Sequence, residues 1–110
     1  MAGDKFDLTN DHNVLSLNSP KNSVGGPYKV VYKDIDERFV IVALDWNDVP
    51  SLAMRWFWGN GGNPFSSGHP TWFVYPSSLL TGLLNSLPLD FNLRRNLDSF
   101  LAGEMAGNQL

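Results

Sequence analysis

His69 is one of two histidines in this 110-residue chain, and Ser66 and Ser67 stand just ahead of it in the stretch GNGGNPFSSGHP. With Asp45 or Asp48 as orienter, these types could supply a nucleophile, a base and a carboxylate. His69 and a carboxylate alone could form the acid–base pair of a small hydrolase or isomerase. Such machinery depends on spatial placement, and no G-x-S-x-G elbow fixes a nucleophile here. The absence of cysteine removes a thiolate nucleophile, a thiolate metal site and any disulfide. No group of His and carboxylates has ligand spacing, and GNGGNP lacks the lysine and following helix of a phosphate-binding loop. The sequence therefore assigns no catalytic residue, no metal and no cofactor.

Recognition chemistry is better represented. In MRWFWGNGGNPFSSGHPTWFVYP, three of the four tryptophans flank a loop of Gly, Asn, Ser and Pro. The glycines and asparagines can satisfy the geometry of a long hairpin loop and nothing more. A loop of about a dozen residues is nevertheless uncommon in a compact domain unless it has a function. Trp58, Phe65 and Trp72 are expected to form an apolar wall, with Asn63, Ser66, Ser67 and backbone amides as orienting polar groups and His69 as a further ligand contact, a mixture typical of small-ligand sites. Asp45 ends an otherwise apolar strand and, if buried, needs a cation. Arg55 on the next strand is its expected partner, the pair serving as a structural bridge or as a polar anchor at a ligand pocket or dimer seam.

The elements that must position these residues follow from periodicity. Residues 1–27 are polar and turn-rich and read as an N-terminal arm. Residues 28–110 read as one α+β domain. YKVVYK alternates with Tyr28, Val30 and Tyr32 on one face, and its lysines suggest an edge strand. RFVIVALDW is apolar on both faces, with Val40, Val42, Leu44 and Trp46 opposed to Phe39, Ile41, Ala43 and Asp45, which predicts a central strand covered on both sides. SLAMRWFW and PTWFVY continue a meander. Two helices follow: one capped at Ser77 with Leu79, Leu80, Leu83, Leu84 and Leu87 on its buried face, and one capped at Asp90 or Asn92 with Leu93, Leu97, Phe100 and Leu101. The tail EMAGNQL is expected to fray. The predicted fold is a twisted antiparallel sheet of three to five strands with two C-terminal helices packed on one face. Two helices cannot cover both faces, so either the arm or a second copy of the chain must cover the other. Aromatic residues with one arginine favour the second copy, and hence a homodimer.

A net charge of -3 argues against nucleic acid, whose binding needs clustered Lys and Arg; Arg94 and Arg95 are the one adjacent basic pair. No 18-residue apolar run exists for a membrane span, and MAGDKFDLTNDHN does not read as a secretory signal. The expected location is the cytoplasm.

The stretch LAMRWFWGNGGNPFSSGHPTWFVYPSSLLTGLL and the leucine-rich helices, residues 50–101, resemble the small single-domain proteins encoded by bacterial integron gene cassettes. That resemblance implies a compact, often dimeric α+β accessory protein, and it transfers no functional residue. The reading favoured is a non-enzymatic homodimeric accessory protein that binds a small molecule or partner protein through the aromatic-lined loop and adjacent sheet face. The alternatives are the His69 enzyme and a purely protein-binding inhibitor or structural partner.

Overall fold

The computed structural model describes residues 6–59 and 61–110. Four strands form one antiparallel sheet in the order β1-β2-β3-β6: β1 (Val24–Asp34), β2 (Phe39–Trp46), β3 (Val49–Trp56) and β6 (Phe73–Val74). Between β3 and β6 a small separate hairpin is made by β4 (Phe65–Ser66) and β5 (His69–Pro70). The arm carries one short helix, α1 (Asp11–Leu15), and the C-terminal part carries α2 (Leu80–Ser86) and α3 (Phe91–Leu101). This is the α+β architecture expected from the alternation of the strands and the periodicity of the leucines. Among the described residues, no helix is long and apolar enough to cross a membrane.

β2 is central and buried on both faces, as its double apolar pattern requires. Ile41 and Ala43 pack with Leu52, Met54, Leu84, Leu97 and Phe100, which places α2 and α3 on that side. Val40, Val42, Leu44 and Ala53 form the opposite layer with Leu8, Val14, Val24, Phe57 and Trp72. The second face, assigned from sequence to another copy of the chain, is therefore covered by the chain's own arm. Val14 on α1 is fully buried, the rings of Phe6 and Phe57 lie 4.6 Å apart, and the Trp72 indole Nε1 donates to Leu17 O at 2.7 Å. These contacts close the layer without a partner.

Several local expectations change. A register shift between Val30 and Tyr32 breaks the alternation of β1, so that Val30 packs on the arm side while both Val31 and Tyr32 pack towards the helices. Asn47 and Asp48, at φ of 50° and 67°, form the two-residue turn between β2 and β3, the backbone type whose twist matches an antiparallel hairpin. Ser77 starts a 3-10 turn, Ser77–Leu79, with no side-chain cap, and Leu79 is exposed rather than buried. Asp90 does cap α3, its carboxylate accepting from Leu93 N at 2.8 Å. The tail is ordered: a second 3-10 turn, Gly107–Gln109, brings Gly107 so close to the Tyr28 ring that a Cβ there would stand 2.1 Å from it. Only glycine fits that approach.

Candidate functional site

Arg55 is the structural key to the aromatic loop. It sits on β3 opposite Val40 of β2 and is 1% exposed. The short hairpin turn pairs Asp45 with Pro50, and alternation puts Asp45 on the helix side and Arg55 on the arm side. The expected Asp45–Arg55 bridge is thus not formed. The turn is tighter than the one read from sequence, and a change of register by an odd number of residues exchanges the faces. Arg55 instead spends its donors on the loop backbone: Nε donates to Thr71 O at 3.0 Å, and Nη2 donates to Gly61 O at 3.0 Å and Pro64 O at 3.2 Å. Its guanidinium also lies 5.0 Å from the ring centre of Phe57 and 6.0 Å from that of Phe65, within the reach of a cation–π attraction. Burial draws its pKa down to about 10, which leaves it charged at neutral pH.

Pinned in this way, the loop turns back on β3. Trp56 and Asn63 exchange two backbone bonds, of 2.8 and 3.0 Å, and Gly62 N donates to Trp58 O at 3.0 Å. Gly62 has φ of 69°, and a Cβ on it would fall 2.1 Å from Trp56 O, so a side chain cannot be accommodated without opening the turn. The result is a cleft of about 370 Å³ lined by Trp56, Trp58, Gly62 and Asn63. Its two indoles are 38% and 41% exposed.

The structure divides the residues picked from sequence. Trp58 and Asn63 meet at this cleft, joined by Trp56. Trp56 shares Trp58's face by simple alternation in MRWFW, a signal present in the sequence and not used for the site. Trp72 is not part of the wall but of the core, because its indole is buried beneath the arm. Phe65, Ser66 and His69 belong to the β4–β5 hairpin, where Ser66 pairs with His69 and all three are exposed. Neither ion pair among the described residues involves His69, and His69 lines neither this cleft nor the one described next.

A second cavity of about 450 Å³ opens between the β2–β3 turn and the ordered tail, lined by Tyr28, Asp45, Asp48, Phe100, Glu104 and Met105 among others. Here Asp45 finds its true partner: the Tyr28 hydroxyl donates to Oδ2 at 2.6 Å. That bond, with burial and the nearby charges of Asp45 and Asp48, pushes the Tyr28 pKa up to about 12. Among the described residues no group of three or more His, Cys, Asp or Glu could hold a metal. The cavity was invisible in the sequence because the tail that walls it was expected to fray.

The raised phenol has a stability consequence. A folded-state pKa above the unfolded value near 10 means that the folded chain holds this proton more tightly. The contribution is complete below pH 10 and is lost as pH rises through about 12. Tyr28→Phe is expected to lower stability by about 1–2 kcal/mol at pH 8, and its deficit against wild type should shrink in urea melts above pH 10. A deficit independent of pH would show that the Tyr28–Asp45 bond is not its source.

Compared with known proteins, the chain matches no family model, no curated protein and no solved structure.

Proposed function

We propose that this chain is a non-enzymatic binding module, recognising a small molecule or a partner protein through the Trp56–Trp58 cleft and the adjoining sheet face. The observation that carries the reading is the pair of half-exposed indoles, held around a concavity by a loop that Arg55 fixes from behind. Large aromatic surface left in water is unfavourable, and indoles on a rigid backbone lose little conformational freedom on binding. The cleft is thus arranged before any ligand arrives.

The enzyme alternative has less support, since His69 stands exposed on a small hairpin outside both cavities. A homodimer is a competing use of the same face. With the arm covering one side of the sheet, self-association rests on Trp56 and on Phe73, which is 55% exposed on the short edge strand β6. The likeness of residues 50–101 to integron cassette proteins supports a bacterial accessory role in the cytoplasm.

A thermal-shift screen on wild type, Trp56→Ala and Trp58→Ala, with light scattering on each, tests the proposal. Ligands that raise the wild-type Tm by several degrees should lose that effect in both variants. Retention of every shift would place recognition elsewhere. A wild-type dimer that becomes monomeric in Trp56→Ala would assign the face to self-association.

A further inference from the structure

Resting on that reading, we infer that the ligand group seated between Trp56 and Trp58 is an organic cation of the alkylammonium class. The register of the sheet sets the surroundings of the cleft. Asp34 pairs with Phe39, Phe39 with Trp56, and Trp56 with Asn63. Directly paired residues of an antiparallel sheet project to the same face, so a carboxylate, a phenyl ring, an indole and a carboxamide share one row across the sheet; the last two line the cleft, and the Asp34 carboxylate accepts from Glu37 N at 2.9 Å. Asp34 lies two strand spacings from Trp56, roughly 10 Å. The turn that continues from it adds Asp36 and Glu37, both exposed.

The cations at this end of the sheet are directed elsewhere. Arg55 is on the opposite face, and Arg38 donates to Phe57 O and Phe6 O under the arm. Lys33 is paired with Asp11 of α1. On the helices, Arg94 is paired with Asp98, and the Arg95 guanidinium lies 5.7 Å from the Phe91 ring centre. The exposed charges of the adjoining turn are carboxylates, Asp36 and Glu37, and the lining of the cleft is aromatic.

That combination discriminates among ligands that stack on indole. A nucleotide or other anion is repelled by Asp34, Asp36 and Glu37. A sugar needs several directional polar partners, and among the described residues the lining offers one polar side chain, Asn63. An alkylammonium group needs none: its charge is spread over methyl groups that lie against the π face, where tryptophan is the most favourable ring. The same chemistry can reach the cleft as a free onium metabolite or as a methylated lysine side chain on a protein.

The test is titration of the indole Nε1–H resonances of the full chain with benzyltrimethylammonium, its neutral tert-butyl isostere, and two peptides differing only in trimethylation of one lysine. The expected result is perturbation of the Trp56 and Trp58 signals, assigned through Trp→Phe variants, with binding at least tenfold tighter for the cation than for the isostere. Asp34→Asn should weaken the cation by about twofold at low salt and leave the isostere unchanged. Tighter binding of the trimethylated peptide than of free benzyltrimethylammonium identifies a protein source, and the reverse identifies a small molecule. Equal affinity for cation and isostere overturns the inference while leaving the cleft as a binding site. So does failure of all four probes when the thermal-shift screen yields other ligands dependent on Trp56 and Trp58. Failure of that screen as well overturns both readings.

Discussion

Val14→Asp is expected to lower the melting temperature by roughly 20 °C or to prevent folding altogether. Val14 is fully buried against the β2 layer of Val40, Val42 and Leu44, and the cations on that face are already engaged, Arg55 and Arg38 by main-chain carbonyls and Lys33 by Asp11. The substitution removes about 2 kcal/mol of apolar burial and forces an unpaired polar group into the same space, for a combined cost of about 4 kcal/mol or more. A small domain has only about 5–15 kcal/mol in total, and its midpoint falls roughly 5 °C per kcal/mol. Asp11→Asn on the same helix, which removes the surface pair with Lys33 of β1, should cost less than about 1 kcal/mol. Thermal melts of the two variants, followed by circular dichroism, separate a docked arm from a merely adjacent one. If the arm were a loose appendage and a second copy covered the sheet, Val14→Asp would be as mild as Asp11→Asn.

The contrast also explains what the sequence made legible. β2 advertised its central place because seven of its eight residues are apolar and fall on both faces, and no solvent-facing strand is built that way. The arm gave no comparable signal. Leu8, Val14, Leu15 and Leu17 have neither a helical nor a strand period, because they reach the sheet from a turn, a five-residue helix and an irregular segment. Their apolar character became interpretable only once they were seen to share a surface. Asp45 and Arg55 illustrate a different limit. Each was marked as a polar residue on an apolar strand, and Arg55 is buried while Asp45 is only half-buried at the second cavity; the pairing depended on a turn whose length was misjudged, and faces alternate residue by residue. Their real partners, a tyrosine hydroxyl and three main-chain carbonyls, carry no charge that a sequence could match to them. The cleft was half visible for a related reason: tryptophans at both ends of the loop look alike in sequence, but Trp72 reaches inward to Leu17 O while Trp56 and Trp58 face outward.

Arg55→Met should therefore loosen the loop more than it damages the core, and the balance can be argued from opposing magnitudes. Holding the guanidinium in the interior draws its pKa down to about 10, a burial cost of roughly 3 kcal/mol that the substitution relieves. Against this, the carbonyls of Gly61, Pro64 and Thr71 lose their donors, each at about 1–3 kcal/mol if it stays buried. Methionine fills comparable volume, so a cavity adds little. Three orphaned acceptors outweigh one relieved cation, and the net expectation is a loss of about 2 kcal/mol, or roughly 10 °C in Tm. Because the loop can move to hydrate those carbonyls, the larger effect should be local: amide exchange at Gly62, Asn63 and Thr71 should accelerate well beyond that of β2, and ligand binding at Trp56 and Trp58 should weaken even where the chain is fully folded. Arg55→Lys keeps the charge without the planar fork that spans three acceptors, so it should recover only part of the loop protection. Uniform acceleration of exchange through the sheet and loop in Arg55→Met would mean that Arg55 supports the core as a whole and does not position the recognition loop.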